Sequence, residues 1–92
     1  MARKKYPDAS PHEIDEAMKG AWSCFASFRK QPGKERGRLL RTIARHLEQE
    51  KNQLVLIADS ETSLGHDRLG FELKRTIAEL ELFAGLAESG KW

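Results

Sequence analysis

Residues 67–88 read as one helix with apolar side chains on two opposite faces, and this pattern constrains the chain more than any other. Leu69, Leu73, Ile77, Leu80, Phe83, Ala84 and Ala87 form one stripe at three- and four-residue spacing. Phe71, Leu82 and Leu86 fall on the opposite side. A helix that is apolar on both sides needs a partner on both. The rest of the sequence offers two more helices, enough to cover one face. Phe71, Leu82 and Leu86 are therefore the candidate partner face. It would be met by the rest of a larger fold, by a second copy or by another protein. The plainer alternative is that they are ordinary exposed apolar residues, since much of any protein surface is apolar.

The remaining pattern is also helical. Ser10-Pro11-His12-Glu13 predicts a helix start, with Ser10 as cap, Pro11 in the first turn and Glu13 closing a capping box. This helix runs over 11–28, and Ile14, Ala17, Met18, Ala21, Trp22, Phe25 and Phe28 predict one buried face. After Gln31-Pro32-Gly33 a second helix is predicted over 34–63, with Leu39, Leu40, Ile43, Ala44 and Leu47 on a stripe continued by Leu54, Ile57 and Ala58. Six polar residues from Glu48 to Gln53 predict a kink near 50–52, close to Asn52. Gly65 is the expected stop of that helix and Gly90 of the last one. Residues 1–9 read as a flexible tail and 10–92 as a single helical segment. The fold class is all-α, three main helices with no sheet.

Ninety-two residues make one small domain at most, with a thin core at 39% hydrophobic and 33% charged. No apolar run approaches the ~20 residues that cross a bilayer, and the basic N-terminus lacks the apolar stretch of a secretory signal. One cysteine, Cys24, forms no internal disulfide, which suits a cytoplasmic protein. A net charge of +2 calls for neither nucleic acid nor an acidic membrane.

The residues that could carry chemistry favour plain readings. Cys24 lies mid-helix beside Trp22 and Phe25, away from a helix N-terminus, and reads as a buried or half-buried packing residue. His12, His46 and His66 form no metal-ligand spacing, and His46 reads as a surface residue. Lys34, Arg38, Arg41 and Arg45 share a helix face. Pairing with Glu35 and Glu48 on that helix explains them as well as a DNA groove does. Pro32-Gly33-Lys34 opens a helix whose N–H groups suit an anion, but a loop plus a helix start explains it. No Gly-rich phosphate loop is present.

Four separated elements carry a resemblance. They are Glu13-Ile14-Asp15-Glu16-Ala17 leading to Trp22, Phe25 and Phe28; Arg36, Leu40 and Ala44 after Gly33; Leu54 to Gly65 with Glu61-Thr62; and Phe83-Ala84-Gly85. In this order the chain resembles the N-terminal helices of the NAD(P)-dependent aldehyde dehydrogenase superfamily. Thr62-Ser63-Leu64, Arg68-Leu69-Gly70-Phe71-Glu72 and Gly90-Lys91-Trp92 are closest to its α-ketoglutaric semialdehyde (2,5-dioxopentanoate) branch.

The resemblance implies a parent enzyme that oxidises an aldehyde to an acid with NAD or NADP, through a cysteine nucleophile and a glutamate base. None of those groups maps onto this chain, whose Cys24 lies far from the family's Gly-Gln-Cys element. Glu61 matches a position near a monovalent-cation site in some members, one side chain out of several. The expectation is an inactive structural helical fragment with no catalytic, cofactor or metal residue of its own. Its partners would be the rest of the parent enzyme or a second copy, as a homo-oligomer. The alternative is a stand-alone helical dimerisation module.

Overall fold

The computed structural model describes residues 6–90. They form four α-helices and no strand: α1 (Pro11–Phe28), α2 (Gly33–Gln49), α3 (Lys51–Thr62) and α4 (His66–Ser89). The expected all-α class holds; the expected three helices become four. Of the expected tail, 1–5 lie outside the described residues and 6–10 have no regular structure. The chain divides into two compact units, Met1–Gln31 and Pro32–Trp92.

The first unit contains α1. Its start is as the sequence predicts. The Glu13 N–H donates to Ser10 Oγ and the Ser10 N–H donates to Glu13 Oε1, both at 3.1 Å, with Pro11 in the first turn. The stripe read as buried is not: Ile14, Met18, Trp22, Phe25 and Phe28 are all exposed, Trp22 at 74%. Periodicity shows that a helix has an apolar face but not that its own unit supplies the cover.

The second unit is a hairpin-like stack in which α2 and α3 both lie against α4. The predicted kink is a full break at Glu50, where φ is −100° and ψ is 9°. Hydrogen bonding still passes through it, from the Glu50 N–H to the His46 carbonyl and from the Leu54 N–H to the Glu50 carbonyl. The unwinding shifts the phase of the helix. Val55, Ala58 and Asp59 are half-buried in α3, whereas Leu54 and Ile57, expected to continue the α2 stripe, are exposed.

The α3–α4 turn also departs from expectation. α3 ends at Thr62 with Ser63 in the left-handed region (φ 58°), and Gly65 (φ 96°) caps the start of α4 instead of stopping α3. A left-handed serine is costly on its own. Asp59 offsets that: its carboxylate accepts the Gly65 N–H at 2.9 Å, and its other oxygen lies 3.2 Å from His66 Nε2. Gly90 (φ 70°) ends α4 as predicted.

Small residues make the α2–α4 contact. Ala44 and Ala84 are fully buried, and among the described residues no large side chain is. A Cβ at Gly33 would fall on the Ala87 carbonyl oxygen, and one at Gly37 on the Glu88 side chain. At Gly33 the obstacle is backbone and cannot swing aside. Gly33→Ala is expected to destabilise the α2–α4 unit by about 1–3 kcal/mol in thermal melts followed by circular dichroism. Gly20→Ala, whose Cβ would meet nothing within 4 Å, is expected to raise helix content in the same measurement, because alanine is the better helix former by about 1 kcal/mol.

Candidate packing face and helix seam

Two surfaces of α4 concentrate what this chain can do. The inner one is a seam with α2. Arg41 reaches across to Glu88, donating from Nε to Oε2 at 3.0 Å and from Nη2 to Oε1 at 2.8 Å. This two-pronged match of guanidinium and carboxylate fixes how far α4 can slide along α2. The guanidinium holds the Glu88 carboxyl below the ordinary glutamate value, first through the hydrogen bond, and Glu88 in turn raises Arg41.

The basic stripe is therefore only partly what the sequence predicted. Arg38 does pair with Glu35, at 3.5 Å, but Glu48 pairs with Lys51 at 3.3 Å, and Arg41 leaves its own helix for α4. Arg41 and Glu88 lie 47 residues apart, beyond the reach of any local pattern.

The outer surface of α4 carries Phe71, Leu82 and Leu86, with exposures of 69%, 61% and 41%. Leu69, Leu73, Ile77, Leu80 and Ala87 of the inner stripe are half-buried and Ala84 is buried. Phe83, placed with that stripe by the sequence, is 55% exposed. The inner seam is too tight for an aromatic ring so close to Ala84, and the ring lies outside it. Arg68–Glu72 and Arg75–Glu79 ion pairs, at 3.2 and 3.3 Å, run along the same helix.

A groove of about 610 Å³ lies between the α2–α3 arm and α4, with Val55, Leu56, Leu73 and Ile77 as apolar lining and Lys51, Lys74 and His66 on its edges. It contains no nucleophile beside a base and no paired carboxylates. Cys24 is exposed in α1, not packed as expected. His12 and His46 are exposed, and His66 is held by Asp59. Among the described residues no three His, Cys, Asp or Glu side chains gather as a metal site. No helix of the described residues is long and apolar enough to cross a membrane.

The α2 N-terminus, whose N–H groups suit an anion by sequence, faces the Ala87 carbonyl and the Glu88 carboxylate across Gly33 and Gly37. An acceptor and a negative charge repel a phosphate.

Because Glu88 is held below its ordinary value, its contribution to the seam is complete above the ordinary glutamate range and disappears as the pH falls through the lowered value. Melting temperatures of the intact chain are expected to drop with acid over that range. Glu88→Gln should start lower at neutral pH and lose that part of the slope.

A family model described as the aldehyde dehydrogenase family matches residues 2–91. No solved structure matches the chain.

Proposed function

Because the chain belongs to the aldehyde dehydrogenase family, we propose that its helices are the N-terminal helical part of such an enzyme and act there as a structural buttress. The carrying observation is the burial pattern. Among the described residues the only fully buried apolar side chains are two alanines, while aromatic and aliphatic residues of all four helices are exposed, Trp22 and Phe71 among them. Helices packed on glycine and alanine, with their larger side chains directed outward, are built to be covered by a neighbouring surface.

The chemistry of such an enzyme would come from elsewhere in the polypeptide: a nucleophilic cysteine, a glutamate base and a site for NAD or NADP. The aldehyde substrate we assign is α-ketoglutaric semialdehyde, supported by the Glu61-Thr62-Ser63-Leu64 and Arg68-Leu69-Gly70-Phe71-Glu72 elements. The enzyme would be cytoplasmic and homo-oligomeric.

The purified 92-residue chain, given a panel of aldehydes including this one with NAD or NADP, is expected to reduce neither cofactor. Turnover that survives repeated purification and disappears on Cys24→Ser would overturn the structural role.

A further inference from the structure

We draw no further inference here: the strongest candidate, the groove between the α2–α3 arm and α4 with Val55, Leu56, Leu73 and Ile77 as its apolar lining, is an unpartnered apolar surface whose edge charge selects no occupant, Lys51 being already paired with Glu48, and nothing in the structure shows what covers it.

Discussion

The approach of α2 to α4 at Gly33 and Gly37 is the constraint on which the second unit depends. How near two helices come is set by the side chains between them. Here that layer is glycine and alanine: Gly33 against the Ala87 carbonyl, Gly37 beneath Glu88, and Ala44 and Ala84 fully buried. Close backbones gain dispersion contacts along the seam, but small side chains leave little freedom in sliding. The Arg41–Glu88 fork removes what freedom remains. As a partly exposed ion pair it contributes little energy; its two directional hydrogen bonds fix the axial register that lets Glu88 lie over a glycine.

Much of the helical content was legible because its signals are local. Ser10, Pro11 and Glu13 mark a helix start through hydrogen bonds spanning three residues, and Gly90 marks an end by its left-handed backbone. The Glu50 break was legible only as a polar stretch. No glycine or proline punctuates it, and hydrogen bonds at helical spacing continue through it, from the Glu50 N–H to the His46 carbonyl and from the Leu54 N–H to the Glu50 carbonyl. The resulting phase shift exchanges Leu54 and Ile57 for Val55 on the inner side and leaves Ala58 there, as the stripe predicts. Ser63 escaped notice because its left-handed backbone depends on Asp59, four residues upstream, and Gly65 two residues on was the more obvious stop.

The candidate face divides in the same way. That α4 has two apolar sides follows from spacing along one helix, so Phe71, Leu82 and Leu86 could be named from the sequence. Which stripe residues reach the interior depends on the thickness of the seam, a tertiary quantity, and Phe83 was therefore misplaced. Glycine carries the same ambiguity. Two glycines at the head of a helix suit a phosphate as well as a second backbone, and composition does not separate the two. The Ala87 carbonyl and the Glu88 carboxylate decide it, since both repel an anion.

The thin seam and the greasy exterior are one fact rather than two. Helices whose closest contacts are glycine and alanine only half-bury their larger inner side chains, such as Leu73, Ile77 and Leu80, and many of the others leave by the remaining faces. Leu39 and Ile43 do so on α2, and Phe71, Leu82, Phe83 and Leu86 on α4. A seam of leucines would have buried that area at home and separated the helices. With the area left outside, most of the hydrophobic free energy available to this unit is realised only when another surface arrives, because stabilisation scales with apolar area removed from water. A neighbour that covered α4 would thus also hold α4 against α2.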